Sequence, residues 1–316
     1  MQKKFLAAAK FLSRLKGRSL ITFQEVADPD AVASAIALSS LVRNCEVRAT
    51  GQVNSQSRAI LKSLGLAIVP LESLEGYSNI LITDACTLDS FGKWSGAIGS
   101  FKGTVAFFDH HIHSDRMKAD FSLELPAVSS TSEIALGILD ASKKKIDKKT
   151  AMLLAAGVAS DSGHWKSAND DSFEAMARLL KLAGRSKDEY QEILSLIERP
   201  KNPEMAKKKI ECAGKAKASE KDGVVVATST SDAFHLQCAV GLVALGADYA
   251  FVADAKKGVV LAARSDSAKK SVGKLMQQIG QKISGSGGGH EKVGGARGKF
   301  ADAAAVLDYC AKAALE

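Results

Sequence analysis

Two neighbouring aspartates, Asp28 and Asp30, are the first residues of this 316-residue sequence that could do chemistry. They stand between an apolar run, residues 20–23, and a small apolar segment of helical character. Asp30 could cap that helix, and Asp28, which precedes Pro29, could close a turn. Extended backbone, however, points residues two apart to the same side, so both carboxylates could instead hold a metal ion. The pair alone leaves both interpretations open.

Further carboxylate and imidazole side chains follow other apolar runs. Ligands gather at the carboxyl ends of strands in open parallel sheets, so these side chains are expected at one sheet edge. Oxygen and imidazole donors without a thiolate suit Mn²⁺ or Mg²⁺, and more than four of them indicate a pair of ions, as in phosphoryl displacement. The residues concerned are Asp84 after residues 79–83, Asp109, His110 and His111 after residues 103–108, and Asp161 after a helical run at 151–159.

A glycine-rich segment near the C-terminus, GSGGGHEKVGGARG at residues 285–298, forms a second candidate site. Glycine lets the backbone approach a ligand closely, and backbone N–H groups beside a histidine or arginine suit an anion. A flexible loop or linker is the structural alternative. The order of residues excludes a P-loop, because the G-x-x-x-x-G-K-[ST] pattern is absent.

The elements around these residues predict an α/β protein. Strand-like runs at 19–23, 46–50, 79–83 and 103–108 alternate with helical segments at 31–43, 55–64 and 88–95, which indicates a parallel sheet with helices on both faces. From Ser130, which with Glu133 offers a capping box, the pattern becomes helical. A proline- and lysine-rich stretch then marks a boundary. We therefore expect a catalytic domain over 1–197, a linker over 198–222 and a smaller mixed α/β domain over 223–316.

The second domain shows its own alternation of elements. Strands are expected at 223–230, 249–255 and 258–266. Helices are expected at 238–246, 271–280 and 301–314, with Ser271 as the N-cap and Gly280 directly after the end of the second of them.

Composition restricts the class of protein and its partners. The chain is 46% hydrophobic and 25% charged, and it lacks the long apolar run of a membrane span. Five scattered cysteines favour a reducing cytoplasm over a disulfide framework. A net charge of +8 favours polyanionic partners such as nucleic acid or nucleotides, although the lysine clusters at 143–149 and 201–223 could simply be solvated surface.

The motifs, in their order and spacing, resemble the DHH phosphoesterase family, in the subfamily whose second domain, DHHA1, carries a G-G-G-H motif. The resemblance covers nearly the whole chain, and the layout is similar to nano-RNases that also act on nucleoside bisphosphates and to RecJ-like nucleases. The matching segments are ADPDAVASA (27–35), ITDA (82–85), DHH (109–111), ASDSG (159–163) and GGGHEKVGGA (287–296).

The resemblance implies a role for each residue. Asp28 would bind the first ion and Asp30 the second, Asp84 would bridge them, and His110 and Asp161 would complete the second site. His111 would contact the scissile phosphate, and Asp109 would orient the neighbouring imidazole. Arg264 would grip a substrate phosphate. The substrate's nucleotide or terminal phosphate would contact Gly287, Gly288, Gly289 and His290.

The implied function is a metal-dependent phosphodiesterase or exonuclease that hydrolyses short oligonucleotides or single-strand ends to nucleoside monophosphates, with Mn²⁺ or Mg²⁺ at a two-ion site. Alternatives are a phosphatase of 3′,5′-bisphosphorylated nucleosides and a cyclic-dinucleotide phosphodiesterase. A homodimer, or a repair or replication protein as partner, is compatible with the resemblance.

Gln24 departs from the family pattern, which usually has histidine four residues before the first aspartate. An amide oxygen is a poorer transition-metal ligand than imidazole, so the first ion should bind more weakly or be Mg²⁺. This departure motivates one more alternative, a nucleic-acid-binding regulatory protein with a weakened metal site.

Overall fold

The computed structural model describes residues 1–163, 165–184, 187–197 and 202–316. The chain divides into two compact units, Met1–Pro200 and Lys201–Glu316. Each unit has its own sheet and its own hydrophobic core. None of the helices in the described ranges combines the length and the apolar character that crossing a membrane requires.

The N-terminal unit alternates strands and helices. Its strands, in chain order, are β1 (Ser19–Thr22), β2 (Val26–Ala27), β3 (Cys45–Ala49), β4 (Gln52–Val53), β5 (Val69–Pro70), β6 (Asn79–Thr83), β7 (Thr104–Asp109) and β8 (Phe121–Glu124). Its helices are α1 (Gln2–Arg14), α2 (Pro29–Ser39), α3 (Ser55–Ser63), α4 (Ser95–Gly99), α5 (Thr131–Ser142), α6 (Lys148–Asp161), α7 (Asp170–Ala183) and α8 (Lys187–Ile197), with a 3₁₀ segment at Leu88–Trp94.

The main sheet of this unit is parallel throughout, in the order β5-β3-β1-β6-β7-β8. The chain runs outward from β1 to β5 and then returns to place β6 beside β1, so the strand order reverses between these two strands. Such a reversal opens a crevice at the carboxyl ends of the strands, where α/β proteins bind their ligands. A short parallel pair, β2 with β4, stands apart from the main sheet.

Both faces of the sheet are covered, as the sequence predicted. Successive strand residues point to opposite sides, so each strand contributes to two hydrophobic clusters. Fully parallel sheets need this cover, which explains why β1 and β6 are buried along their whole length. One cluster includes Ile21, Leu81 and Phe108, and the other includes Leu20, Ile80, Ile82 and Phe107.

Small side chains let α2 and α6 pack closely. Ala31, Ala33 and Ala35 of α2 are fully buried, and a Cβ added at Gly157 of α6 would lie 3.2 Å from the Ala33 Cβ. The same added Cβ would lie 2.2 Å from Ser132 Oγ, so α5 also approaches here. This contact brings together the start of α2, the start of α5 and the adjoining turns of α6.

The C-terminal unit is a mixed α/β domain, as expected. Its sheet has the order β13-β14-β12-β11-β10-β9, in which β10 and β11 are parallel and the other pairs antiparallel. Its elements are α9 (Pro203–Gly214), β9 (Lys217–Lys221), β10 (Val224–Thr230), α10 (His235–Ala244), β11 (Tyr249–Asp254), β12 (Val259–Arg264), α11 (Val272–Lys282), β13 (Ser286–Gly289), β14 (Val293–Arg297) and α12 (Ala303–Leu315).

The predicted linker at 198–222 is wrong for the described residues 202–222. They form α9 and β9, and β9 pairs antiparallel with β10 from Lys217↔Thr228 to Lys221↔Val224. Every residue of β9 is exposed, so backbone pairing rather than apolar burial holds this edge strand. Charged edge strands of this kind avoid further pairing, and they carry no hydrophobic signal in the sequence.

The glycine-rich segment is a β-hairpin, β13 and β14, rather than a loop. It lies against α11, which continues past Gly280 to Lys282, so the helix end predicted at Gly280 is wrong. A Cβ added at Gly280 would lie 2.4 Å from the backbone carbon of Ser286. Glycine therefore stands at position 280 because the hairpin backbone approaches the helix there.

Candidate metal centre

The predicted site residues of the N-terminal unit meet where the strand order reverses. Asp28 follows β2, the short strand that comes after β1, Asp84 follows β6, and the Asp-His-His segment at 109–111 begins with the last residue of β7. Asp161 is the last residue of α6, whose packing against α2 brings it to the same place. The local folding of four separate segments thus assembles one polar cluster.

Asp28 and Asp30 have different partners from those expected. Asp28, not Asp30, is the N-cap of α2, because its Oδ1 accepts a hydrogen bond from Ala31 N at 3.0 Å. Asp30 is fully buried, and its two carboxylate oxygens accept hydrogen bonds from Thr131 N and Ser132 N, each at 2.7 Å. These donors are the first N–H groups of α5, so a helix N-terminus holds the Asp30 carboxylate.

The sequence analysis found the start of α5 but missed what it binds. Ser130 caps the helix by accepting a hydrogen bond from Glu133 N at 3.2 Å, which confirms the predicted helix start. Thr131 and Ser132 were not predicted as site residues. The available signal was the cap itself, because helix N-termini are ready-made sites for anions such as a carboxylate.

Asp84 is held in a strained backbone conformation at the edge of the sheet. Its φ is +61°, in the left-handed region that non-glycine residues rarely occupy, and such strain is concentrated at functional sites. Its Oδ1 accepts a hydrogen bond from Thr131 Oγ1 and its Oδ2 accepts one from Gln24 Nε2, both at 3.0 Å. The Asp84 side chain is therefore fixed on both of its oxygens.

The first residue of the Asp-His-His segment holds the third residue in place. Asp109 is fully buried, and its Oδ1 accepts hydrogen bonds from His111 N at 3.1 Å and from His111 Nδ1 at 2.8 Å. Asp109 thereby fixes the orientation of the His111 imidazole, while its role in catalysis stays a prediction. This arrangement leaves His111 Nε2 for another partner, and the His111 side chain is 46% exposed.

Two groups of three ligand atoms result, and they share His110. Asp30, His110 and Asp161 form one group, and Asp84, His110 and His111 form the other, with the ligand atoms of each group within 4.8 Å of one another. His110 Nε2 lies 3.1 Å from Asp161 Oδ2 and 3.6 Å from Asp84 Oδ1. Among the described residues, Asp28 joins neither group.

The electrostatics show an excess of negative charge. Burial and the neighbouring charges of Asp161 and Asp28 raise the pKa of Asp30 to about 7, against the two N–H donors that favour its ionised form. Burial and the charges of Asp30 and Asp28 also raise the pKa of Asp84 well above its usual value. Ligands with raised pKa values release protons when a cation binds, so the cluster suits a divalent cation.

His110 responds to the same charge. Burial alone lowers the pKa of its imidazole, but the ion pair with Asp161 and the charge of Asp30 outweigh burial and raise that pKa to about 9. In the metal-free protein, the His110 imidazolium therefore balances part of the negative charge of the carboxylates.

Gln24 offers a further ligand atom. Its Nε2 donates to Asp84, which fixes the orientation of the amide, and its Oε1 is buried with no hydrogen-bond partner among the described residues. An unpaired buried acceptor is costly unless something satisfies it. Carboxylate and amide oxygens with imidazole fit Mg²⁺ or Mn²⁺, and the residues present therefore fit the divalent ions that the sequence implied.

Arg264, predicted to grip a substrate phosphate, lies in the C-terminal unit and is largely occupied by the protein. Its Nε donates to the Glu291 carbonyl at 3.0 Å, and its Nη1 donates to the carbonyls of Ser265 and Ala268. Its Nη2 bonds Glu291 Oε1 at 3.2 Å. Arg264 thus ties the loop after β12 to the loop of the glycine-rich hairpin, and its role toward substrate stays a prediction.

The glycines of the hairpin serve two different purposes. A Cβ added at Gly287 would lie 1.9 Å from the Met276 carbonyl oxygen, and Gly289 has a φ of +147°, so both are required by the fold. A Cβ added at Gly288 would meet nothing within 4 Å. His290 beside them is exposed. Gly288 and His290 therefore remain candidates for ligand contact, whereas packing accounts for Gly287 and Gly289.

Comparison with known proteins identifies a family match in the N-terminal unit. Residues 18–158 match the DHH family, N-terminal domain, which spans β1 to α6 and most of the ligands described above. Members of this family are metal-dependent phosphoesterases. An uncharacterized protein of Methanocaldococcus jannaschii is 28% identical over 285 residues, covering 85% of this chain and 83% of the relative.

Solved structures share the fold of the whole chain. An exopolyphosphatase-related protein from Bacteroides fragilis has a TM-score of 0.67 at 16% identity, covering 100% of this chain and 96% of its own. A Methanococcus jannaschii protein assigned as a family II inorganic pyrophosphatase has a TM-score of 0.51 at 18% identity, covering 94% of this chain and 100% of its own. At such identities the likeness concerns the fold alone.

Proposed function

We propose that this chain, whose N-terminal domain belongs to the DHH family, is a metal-dependent phosphodiesterase that hydrolyses short oligonucleotides or single-strand ends to nucleoside monophosphates. The observation that carries the proposal is the two overlapping ligand groups at one sheet edge, which bring together three carboxylates and two imidazoles, because a carboxylate-rich cluster of this kind is what paired cations use in phosphoryl displacement. Mn²⁺ or Mg²⁺, when bound, would supply the activated water and neutralise the negative charge that develops on the phosphate oxygens.

The residues of this chain position the reacting groups. Asp30, His110 and Asp161 would hold the second ion, and Asp84 would hold the first together with Asp28 and Gln24 Oε1. Thr131 and Ser132 keep these carboxylates from turning, since they donate to Asp30 and Asp84 from a rigid helix start. A preorganised donor set of this kind costs no rearrangement when the phosphate enters.

His111 is the residue proposed to touch the scissile phosphate. The hydrogen bond to Asp109 raises the pKa of His111, which favours the imidazolium form with an N–H on each ring nitrogen. One N–H is used by Asp109, and the other can donate to a phosphate oxygen or to the leaving group. Donation to the developing charge is the contribution expected from such a residue.

Competing substrates have specific reasons to be tested. A phosphatase of 3′,5′-bisphosphorylated nucleosides and a cyclic-dinucleotide phosphodiesterase would use the same centre. Two proteins of similar fold are described as exopolyphosphatase-related and as a pyrophosphatase, so inorganic polyphosphate and pyrophosphate belong in the same panel. A regulatory nucleic-acid-binding protein would instead bind oligonucleotides without hydrolysing them.

The test is hydrolysis by the full chain with Mn²⁺ or Mg²⁺ over that panel, including labelled di- to pentanucleotides. We expect release of nucleoside monophosphates from the short oligonucleotides and its loss in Asp84→Asn. Turnover of pyrophosphate, of a bisphosphorylated nucleoside or of a cyclic dinucleotide in preference would replace the proposed substrate. Oligonucleotide binding without turnover under any divalent ion would support the regulatory alternative and contradict the enzyme.

A further inference from the structure

We propose a third cation site, beside the metal centre and distinct from it, formed by Cys86, Asp109 and His113. The Cys86 sulfur, one carboxylate oxygen of Asp109 and one ring nitrogen of His113 all lie within 4.8 Å of one another. This donor set differs from that of the metal centre because it contains a sulfur. The ion that it suits is Zn²⁺ or a cation of similar softness.

The strongest observation is the unpaired oxygen of Asp109. Asp109 is fully buried, and its Oδ1 is used by His111, whereas Oδ2 has no nitrogen or oxygen donor among the described residues. A buried carboxylate oxygen without a partner is rare and costly, and it calls for an ion or donor that satisfies it. Cys86 and His113 are the potential metal ligands that stand beside it.

The local structure keeps the three ligands together. Cys86, which is also fully buried, lies in the loop after β6, Asp109 ends β7, and His113 lies half-buried in the segment that follows. That segment returns to the first loop, because Met117 N donates to the Cys86 carbonyl at 2.8 Å. The site is therefore formed by the ends of two adjacent strands, β6 and β7, and by the segment after β7, which a backbone hydrogen bond holds against the loop after β6.

The simpler alternative is a protonated thiol beside the carboxylate. In that alternative the S–H proton of Cys86 is itself donated to the Asp109 carboxylate as a hydrogen bond. Zinc binding would displace that proton to solvent and form a metal–thiolate bond. The two alternatives differ in one property that can be measured directly, namely whether the sulfur binds a metal.

Cobalt provides the measurement, because a Co²⁺–thiolate bond gives a near-ultraviolet charge-transfer absorption that oxygen and nitrogen ligands do not give. The full chain is first saturated with Mn²⁺, which occupies the oxygen and imidazole centre, and is then titrated with Co²⁺. We expect the thiolate absorption to appear, and Zn²⁺ to abolish it by competition.

Variants assign the absorption to this site. Cys86→Ser should remove the band, and His113→Ala, at a half-buried loop residue, should weaken Co²⁺ binding about tenfold or more. Cys45→Ser is the matched control, since Cys45 lies in β3 outside all three ligand groups, and it should keep the band. Absence of the band in the wild-type chain, its persistence in Cys86→Ser, or unchanged Co²⁺ affinity in His113→Ala would overturn the proposal. These readouts do not involve hydrolysis, so they are independent of the proposed function.

Discussion

Gln24 Nε2 lies 3.0 Å from Asp84 Oδ2 and donates a hydrogen bond to it, which places an amide beside a carboxylate of the metal centre. The other amide atom, Oε1, is buried without a hydrogen-bond partner among the described residues. Glutamine at position 24, where the DHH pattern usually has histidine, therefore does more than remove an imidazole ligand. The glutamine both orients Asp84 and offers an oxygen for a hard cation.

The first prediction concerns this residue. We expect Gln24→His to raise Mn²⁺ affinity about tenfold or more, because imidazole is a better transition-metal ligand and single partners of a site act on this scale. Calorimetric titration of the metal-free chain measures it. Gln52→His, at an exposed position of β4, is the control for an added histidine. Unchanged or weaker Mn²⁺ binding in Gln24→His would contradict the placement of Gln24 at the first ion.

Asp84→Asn should stabilise the metal-free protein and reduce metal binding to at most one ion at the same time. Asparagine can keep both hydrogen bonds, accepting from Gln24 and donating to Thr131, while it removes a buried charge that the metal-free fold does not neutralise. Removing such a charge is expected to add about 1–3 kcal/mol to the free energy of unfolding at pH 8. Urea denaturation in the presence of a chelator checks this, and a destabilised variant would show that the charge is already compensated.

The pH dependence of the same comparison has a defined sign. The folded-state pKa of Asp84 is raised above the unfolded value, and that of Asp30 is raised to about 7, so the metal-free folded state binds more protons than the unfolded state above about pH 4. Its stability should fall as pH rises toward 7. The advantage of Asp84→Asn should accordingly shrink toward pH 4, and an advantage independent of pH would argue against these shifts.

Thr131→Val tests whether the start of α5 organises the centre. The substitution removes the hydroxyl that donates to Asp84 and keeps the backbone N–H that donates to Asp30. We expect a loss of about 1–3 kcal/mol in the free energy of unfolding of the metal-loaded protein, because a hydrogen bond to a buried charge is lost, together with weaker Mn²⁺ binding.

Thr22→Val is the matched control for that change. Thr22 is equally buried, but its hydroxyl donates to the neutral Arg48 carbonyl at 2.8 Å. It should destabilise the protein without changing Mn²⁺ affinity. If both valine variants had the same metal affinity as the wild type, the hydroxyl of Thr131 would have no part in the centre.

Gly288→Ala separates ligand contact from packing in the glycine-rich hairpin. An alanine at 288 meets open space, so its free energy of unfolding should change by less than about 0.5 kcal/mol, whereas Gly287→Ala should cost about 1–3 kcal/mol. If Gly288 contacts the substrate, Gly288→Ala should raise KM while the unfolding curve stays unchanged. An unchanged KM would remove Gly288 from the proposed substrate site.

The parallel sheet and most of its ligand-bearing ends were predictable from the sequence. The strands are buried on both faces, so each appears as a short apolar run, and the reactive side chains follow these runs directly. Asp84 and Asp109 could be placed at the sheet edge for this reason alone. The prediction that these ligands form one centre came from the order of the motifs, because spacing along the sequence does not give distances across a sheet.

The remaining features depend on contacts that are distant in the sequence or are made by the backbone. Asp30 is bound by the N–H groups of Thr131 and Ser132, which carry no side-chain signal. Strand β9 is exposed throughout and is defined by pairing with β10. The glycines at 280 and 287 reflect close packing of a hairpin on a helix, which composition alone could not distinguish from a flexible loop.

The central claim is that this chain holds a pair of divalent ions at the carboxyl edge of its parallel sheet, and metal content tests it most directly. The full chain is equilibrated with Mn²⁺, freed of unbound ion, and assayed by elemental analysis beside Asp84→Asn. We predict about two Mn²⁺ per wild-type chain, as a paired-ion centre requires, and at most one in the variant. A wild-type chain that retains no Mn²⁺, or a variant that retains as much as the wild type, would contradict the account.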